Sequence, residues 1–294
     1  MTSNAGVIGL GIMGGAIARH IVDKGFNVYG YDTSADALER ASRDGVTTMA
    51  SAAAVAENAN VIICSLPSPM ALKAVAEEIA TSAAEPCILG EASTFNISDK
   101  EIAKDLLEAA GHTLLDRPIS GTGQQAQTGD LAVFTSGDRQ SVQSCLPVIE
   151  AFSRENSYCG AFGDGSRMKF VANHLVTVHN TAAAEAMVLG MKSGLDPHLI
   201  YEVIKTSAGT SRMFQVRGEM MADNEYGQVG MSNRLYQKDL DIITSFAAEV
   251  RCPVNLFAAA VQPYRATLAQ GLAEKDTASV CAVLEDQARV VRKS

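Results

Sequence analysis

The chain of 294 residues has no tryptophan, and only 5% of it is aromatic. Alanine is abundant. Strands are usually rich in aromatic and β-branched residues, so this balance favours close-packed helices over a β-sandwich. Basic charge is also scarce: 24 Lys and Arg stand against 33 Asp and Glu, a formal net charge of −9. No local Lys/Arg cluster offsets this. Phosphate backbones and anionic lipid surfaces repel such a chain, so neither nucleic acid nor a membrane surface is an expected partner. The six cysteines (64, 87, 145, 159, 252 and 281) include no C-x-x-C pair. Most lie in apolar runs such as Val61-Ile62-Ile63-Cys64, the setting of reduced core thiols in a cytosolic protein. No run of about 18 apolar residues is present, which excludes an ordinary transmembrane helix. The first apolar stretch lacks a basic start and is interrupted by Gly9, Gly11, Gly14 and Gly15, so no signal peptide is expected. The expected location is cytoplasmic.

What is present is an alternation of strand and helix patterns. Strand signals occur at Gly6–Gly9, Asn27–Tyr31, Val61–Ser65, Cys87–Leu89, His112–Leu115, Ala132–Ser136 and Ser157–Cys159. Helix patterns fall between the early ones, at Met13–Lys24, Ala35–Asp44, Ser51–Asn58, Ala71–Ala83 and Ser98–Ala110. The last opens with Ser98 as N-cap and Glu101 three residues on. Fully apolar strands alternating with helices predict an α/β fold, a doubly wound parallel sheet of Rossmann type. Near residue 165 the pattern changes. From Ser166 to Ser193 no strand signal interrupts about 28 helix-permissive residues, a rod of about 42 Å. Gly194 ends it. Helices are then expected at Pro197–Lys205, Met213–Met221, Gln237–Val250, Leu256–Gln270 and Ala278–Arg292. The chain therefore divides into a nucleotide-binding domain, 1–163, and an all-α domain, 164–294, with the boundary in Gly163-Asp164-Gly165.

Gly9-Leu10-Gly11-Ile12-Met13-Gly14 fits G-x-G-x-x-G, follows a strand and opens a helix. Gly9 permits the turn, Gly11 lets backbone approach a pyrophosphate, and Gly14 lets helix pack on strand. The free N–H groups of the helix start attract the anion. Asp32, 23 residues after Gly9, ends the second strand and can accept hydrogen bonds from ribose hydroxyls. A 2′-phosphate would meet that carboxylate, and Thr33 and Ser34 bring no arginine. NAD is thus favoured over NADP. Arg40 and Arg43, on the next helix, read as a solvated face.

Three further segments carry polar chemistry. The stretch Asp116 to Gly123 is a glycine-rich loop after a strand, where Ser120 and neighbouring N–H groups could hold a carboxylate, although an ordinary turn fits equally. Lys169 and Asn173 stand four apart on the long helix and share a face, which Val176 and Asn180 extend. Taken alone, Lys169 reads more readily as a snorkelling surface lysine. Lys238-Asp239 reads by itself as an exposed charge pair.

In order along the chain, GLGIMG (9–14), DRPISGTG (116–123), GDGSRMKFVAN (163–173) and QKDL (237–240) resemble the motifs of the β-hydroxyacid dehydrogenase family, which includes 3-hydroxyisobutyrate dehydrogenases and tartronate semialdehyde reductases. The similarity runs over essentially the whole length. It implies a hydride-transferring oxidoreductase acting between NAD and a small hydroxy acid or its oxo product. In that family pattern Lys169 is the general acid/base and Asn173 hydrogen-bonds it or the substrate. Ser120, Gly121 and Thr122 take the substrate carboxylate. Lys238 contacts cofactor and substrate, and Leu66, Pro67 and Thr94 line the nicotinamide side. A homodimer or homotetramer is also implied.

The chain departs from the commonest pattern at Thr122, where a glycine is usual, and at Arg117, where a small residue is usual. Both changes point to an altered reading of the substrate. The stretches His179–Met187 and Ala208–Phe214 are similar to a subgroup containing L-threonate dehydrogenases, which suggests a polyhydroxylated acid of about four carbons. His174 and His179 are five apart and share no tight helical face, so no metal site is expected. Two alternatives use the same architecture: an imine reductase, against which Lys169 speaks, and a non-catalytic NAD sensor, which would not need Lys169, Asn173 and Lys238.

Overall fold

The computed structural model describes residues 3–292. Its contacts divide the chain into two units, one ending at Lys169 and the other starting at Phe170.

The first unit runs β1 (Asn4–Ile8), α1 (Ile12–Asp23), β2 (Asn27–Tyr31), α2 (Ala35–Arg43), β3 (Thr47–Thr48), α3 (Ala52–Ala56), β4 (Val61–Cys64), α4 (Pro69–Ala80), β5 (Ile88–Glu91), α5 (Ile97–Ala109), β6 (Thr113–Asp116), β7 (Ile119–Ser120), α6 (Gly123–Gln127), β8 (Leu131–Ser136), α7 (Arg139–Ile149) and β9 (Ser153–Gly160). The strand order is β3-β2-β1-β4-β5-β6-β8-β7, with β9 beside β8. Strands β1 to β6 pair in parallel, the doubly wound order of a dinucleotide-binding sheet.

Successive strand residues point to opposite faces. Val7, Ile63 and Leu115 therefore join one core, with Ile17 and Ile21 of α1 and Val142 and Cys145 of α7. Ile8, Ile62 and Leu114 join the other, with Leu72 and Ile79 of α4 and Leu107 of α5. Both faces are covered, which explains why these strands read as unbroken apolar runs.

Several elements differ from the sequence expectation. Helix α5 starts at Ile97 with Asn96 as N-cap, so Ser98 lies inside the helix and the expected cap is not made. Helix α7 was hidden by Pro147. Proline breaks a helix by clashing with the turn before it, yet near the C-terminal end the disruption is confined to the last turns. Asp138 caps α7, accepting from Ser141 N at 2.8 Å. The two-residue strands β3 and β7 and the short α6 carry too little periodicity to be read. Strands β7 and β8 pair antiparallel, the 121–130 link between them being shorter than the crossover that parallel strands need, and β6 also pairs antiparallel with β8.

After β9 come α8 (Asp164–Lys192), α9 (Pro197–Ile204), α10 (Arg212–Asp223), α11 (Asn233–Glu249), α12 (Asn255–Ala269), a 3₁₀ turn (Thr277–Ser279) and α13 (Val280–Ala288). Among the described residues this region has no strand, only an isolated bridge between Ser232 and Asp276. Gly194, with φ of 96°, closes the turn after α8. The last helix is shorter than expected. Arg289 turns left-handed at φ 49°. Arg292 folds back onto Glu285 (2.7 Å) and the carbonyl oxygens of Met221 and Ala222 at the end of α10.

The core of the second unit is partly polar. Asn180 Nδ2 donates to Tyr264 Oη at 2.8 Å and to the Thr277 carbonyl at 3.0 Å. Asn233 Nδ2 donates to Leu272 O and Ser279 Oγ, both at 2.8 Å. Among the described residues no helix is long and apolar enough to cross a membrane.

Candidate active site

The glycine turn behaves as its spacing demands. Gly9 has φ of 88°, and a Cβ there would lie 2.1 Å from the Ser65 carbonyl oxygen. A Cβ on Gly14 would lie 1.8 Å from the Gly9 carbonyl oxygen, so only glycine lets α1 sit this close to β1. A Cβ on Gly11 would meet nothing within 4 Å. That open space lies before the first turn of α1, whose N-cap makes no side-chain hydrogen bond. Ile12 beside it is exposed, Met13 half-buried and Leu10 buried. The chain therefore offers uncapped N–H groups next to an open cradle, which fits a pyrophosphate.

Asp32 closes one side of the turn. Its Oδ2 accepts from Leu10 N at 2.6 Å and its Oδ1 from Ser34 N at 2.8 Å. Each oxygen keeps a lone pair for a ribose hydroxyl. Arg40 lines a depression with Gly11, Arg19 and Asp44, whereas Arg43 pairs with Glu39 on the exposed face of α2.

The other expected segments of this unit leave the carboxyl ends of β4, β5 and β6, the edge at which ligands bind in doubly wound sheets. Leu66 N donates to Ser93 Oγ at 2.8 Å, which joins the Leu66-Pro67 loop to the Ser93-Thr94 turn. Ser120 lies on β7, opposite Ala132. Thr122 is the N-cap of α6. Its hydroxyl accepts from Gln125 N at 3.3 Å, and its own N–H donates to Gln125 Oε1 at 3.0 Å. The departure from glycine at 122 thus builds a capping box. Helix α6 packs on α1: a Cβ on Gly123 would lie 2.8 Å from Ile12 Cγ2, and His20 Nε2 bonds Ala126 O at 2.9 Å. Loop and glycine turn are held together.

Arg117 does not belong to this loop surface, contrary to the expectation that it reads the substrate. Its side chain is 1% exposed and lies against Gly90, where a Cβ would come within 2.9 Å of Arg117 Cδ. Alternation along the chain sends it to the α7 side of the sheet, where its Nη2 donates to Val142 O at 3.4 Å. Burial pulls its pKa below the usual arginine value, and the neighbouring Cys145 thiol partly offsets this.

Helix α8 carries Lys169, buried, near its start and Asn173 one turn later. In the second unit Asn173 Nδ2 donates to Asp239 Oδ2 at 2.8 Å. A carboxylate can only accept, so this contact fixes which end of the amide faces Asp239. The Asn173 carbonyl accepts from Thr177 Oγ1 at 2.8 Å and Tyr236 Oη at 3.2 Å. Lys238 is exposed, with its Nζ 3.7 Å from Asp239 Oδ1. Asp239 therefore joins Asn173 and Lys238. Sequence reasoning gave Lys238 a cofactor and substrate contact through resemblance but assigned Asp239 no role. The available signal was Tyr236 and Asp239 three apart on one helix, facing inward. His174 stacks on Phe257 with ring centroids 5.2 Å apart, and burial lowers its pKa.

Residues 4–161 match the NAD-binding domain family of 6-phosphogluconate dehydrogenase. Residues 163–284 match the NAD-binding family of NADP-dependent 3-hydroxyisobutyrate dehydrogenase. The chain is 32% identical over 293 residues to mitochondrial 3-hydroxyisobutyrate dehydrogenase of Mus musculus, covering 96% of this chain and 87% of that protein. It is 32% identical to L-threonate dehydrogenase of Cupriavidus necator, covering 95% of each. A solved structure of Mycobacterium tuberculosis 3-hydroxyisobutyrate dehydrogenase with L-serine superposes with a TM-score of 0.88 at 28% identity, covering 97% of this chain and 99% of that one. With the glycine cradle, the paired loops and these relatives in view, the chain belongs to the β-hydroxyacid dehydrogenase family and is an enzyme of the nicotinamide-dependent hydroxyacid dehydrogenase class.

Proposed function

We propose that the protein oxidises a small hydroxy acid with NAD, using Lys169 as general acid/base. The observation that carries this reading is a buried lysine one helical turn before an asparagine whose amide is oriented by a buried carboxylate. A lysine serves as base when its surroundings favour the neutral form. Lys169 then accepts the hydroxyl proton as the carbon–hydrogen bond breaks, and its ammonium returns the proton in the reverse reaction. The nicotinamide supplies the hydride acceptor. Asn173, with Nδ2 held by Asp239, turns its Oδ1 to the lysine or the substrate hydroxyl.

In this reading the carboxylate is received by the Ser120–Thr122 loop. Thr122 is committed to its capping box, so the Ser120 hydroxyl and the Gly121 N–H carry most of that contact. Leu66, Pro67 and Thr94 line the nicotinamide side, and Lys238 contacts cofactor and substrate. NAD is preferred to NADP because Asp32 holds a fixed anion where a 2′-phosphate would sit. The substrate is of the 3-hydroxyisobutyrate, glycerate or four-carbon sugar-acid type, and the likeness to an L-threonate dehydrogenase supports the last. Residues 1–163 form the NAD-binding domain and 164–294 the substrate and oligomerisation domain of a cytoplasmic homodimer or homotetramer. Exposed apolar side chains at Leu189, Leu195, Leu199 and Val203 support self-association.

The test is NADH formation at alkaline pH across a panel of three- and four-carbon hydroxy acids, with NADP in parallel. Turnover of one acid with NAD is the expected result. Silence across the panel despite tight NAD binding would overturn the assignment.

A further inference from the structure

Lys100 is a lysine with no solvent exposure, which is costly unless every proton on its ammonium finds an acceptor. Here each does. Nζ lies 2.6 Å from Glu91 Oε2, 2.8 Å from Asp116 Oδ1 and 2.8 Å from the Ser93 carbonyl oxygen. Burial alone would lower its pKa, but the two carboxylates outweigh that and raise it above the usual lysine value.

These acceptors in turn hold segments of the candidate site. Glu91 Oε1 accepts from Ser93 N at 2.8 Å, and Ser93 Oγ accepts from Leu66 N at 2.8 Å. The Leu66 loop and the Thr94 turn thus hang on one end of the cluster. At the other end is the start of α8. Asp116 Oδ2 accepts from Ser166 N at 2.7 Å, and Asp116 Oδ1 accepts from Ser166 Oγ at 2.8 Å. Ser136 Oγ donates to Asp116 Oδ2 at 3.1 Å and accepts from Gly165 N at 2.9 Å. Two N–H groups of the first turn of α8 are therefore met by a carboxylate and a hydroxyl from neighbouring strands rather than by a local cap. A Cβ on Gly165 would lie 2.3 Å from the Phe134 carbonyl oxygen, so that turn is pressed against the sheet. Lys169 follows Ser166 by three residues, less than one turn.

We infer that Lys100, Glu91, Asp116 and Ser166 form a positioning clamp, which fixes the first turn of α8 so that Lys169 is held at the reacting hydroxyl. The inference rests on the reading of Lys169 as the acid/base. None of the four touches substrate in this account; they act through Lys169 at one end and through the Leu66 and Thr94 segments at the other. The two ends give separable effects. Ser166→Ala removes one hydrogen bond at the α8 end and leaves the ammonium and both carboxylates in place. Lys100→Met removes the hub and frees both ends.

The experiment is steady-state kinetics of Ser166→Ala, Lys100→Met and Lys169→Met in the full chain, with NADH affinity by fluorescence and melting temperature beside them. A displacement of the reacting groups by a fraction of an ångström to one ångström can cost up to about a hundredfold. The expected result for Ser166→Ala is a kcat lowered about five- to tenfold, with the KM for the hydroxy acid, the NADH affinity and the melting temperature near those of the parent. Lys100→Met, where it folds, should lower kcat further and weaken NADH as well. Wild-type kcat in Ser166→Ala overturns the clamp while leaving the Lys169 reading intact, provided Lys169→Met is silent. A loss of kcat in Ser166→Ala matched by equal losses of NADH affinity and melting temperature also overturns it, because the cluster would then be structural only. Turnover retained by Lys169→Met overturns both readings together.

Discussion

The two units solve the same problem with different parts of the polypeptide. The first builds its glycine cradle from backbone: uncapped N–H groups before α1, a glycine where a Cβ would strike Ser65, and loops leaving the strand ends. The second uses buried side chains on helices. Asn173 bonds Asp239, while Thr177 and Tyr236 both bond the Asn173 carbonyl and lie 2.9 Å apart. Backbone sites tolerate only glycine at their tight points, and so leave a spacing in the sequence. Side-chain networks join residues 60 or more positions apart, as Asn173 and Asp239 do, and leave almost none.

The contrast breaks most sharply at Lys169. Lys169→Ala should lower kcat by about a thousandfold, within the range general acid–base groups contribute. NADH affinity, which rests on the first unit's backbone, should stay within about threefold by titration. A variant that loses cofactor binding in proportion to rate would show that the lysine serves the cradle instead.

Next is Gly14→Ala. The added methyl would lie 1.8 Å from a backbone carbonyl oxygen, so no flexible side chain can yield to it. Overpacking of this kind costs about 1–3 kcal/mol. A KM for NAD raised about ten- to a hundredfold is expected, with a lower melting temperature. Gly11→Ala is the contrast, since its Cβ meets nothing in the protein. It should leave the melting temperature unchanged and weaken only NAD.

The same contrast explains what the sequence could and could not tell. The fingerprint, Asp32 and the long α8 were legible from spacing and periodicity. Helix α7 was not, because Pro147 masks its pattern, and the start of α5 was misplaced because Ser98 and Glu101 have the spacing of a capping box, whereas the actual N-cap, Asn96, makes no side-chain capping bond. Arg117 looked like a substrate contact by its neighbours in sequence, yet strand alternation turns it into the core. Lys169, Asn173 and Lys238 are proposed through resemblance. Asp239 was missed because an adjacent opposite charge made it read as surface.

Asp239 sharpens the comparison at a smaller scale. Asp239→Asn can still accept from Asn173 Nδ2, but with a neutral oxygen, and it loses the attraction to Lys238. Charge-assisted hydrogen bonds are roughly twice as strong as neutral ones. A kcat lower by about tenfold is expected, with NADH affinity and melting temperature near those of the parent. Unchanged kcat would limit Asp239 to a packing role.

The smallest effect belongs to Thr122, where a side chain meets the backbone-built cradle. Its capping box with Gln125 fixes the loop that follows Ser120. Thr122→Gly removes the hydroxyl and leaves the N–H free to rotate with the loop. Replacing an N-cap threonine by glycine costs only a few tenths of a kcal/mol, so the melting temperature should barely move. If the cap serves only the local helix, the KM for the hydroxy acid will not move either. If it orients Ser120 and Gly121 toward a carboxylate, KM rises by about two- to threefold while kcat holds, since binding is lost equally in ground and transition states. The second outcome is expected, because α6 packs on Ile12 and so fixes the loop against the same turn that receives the cofactor.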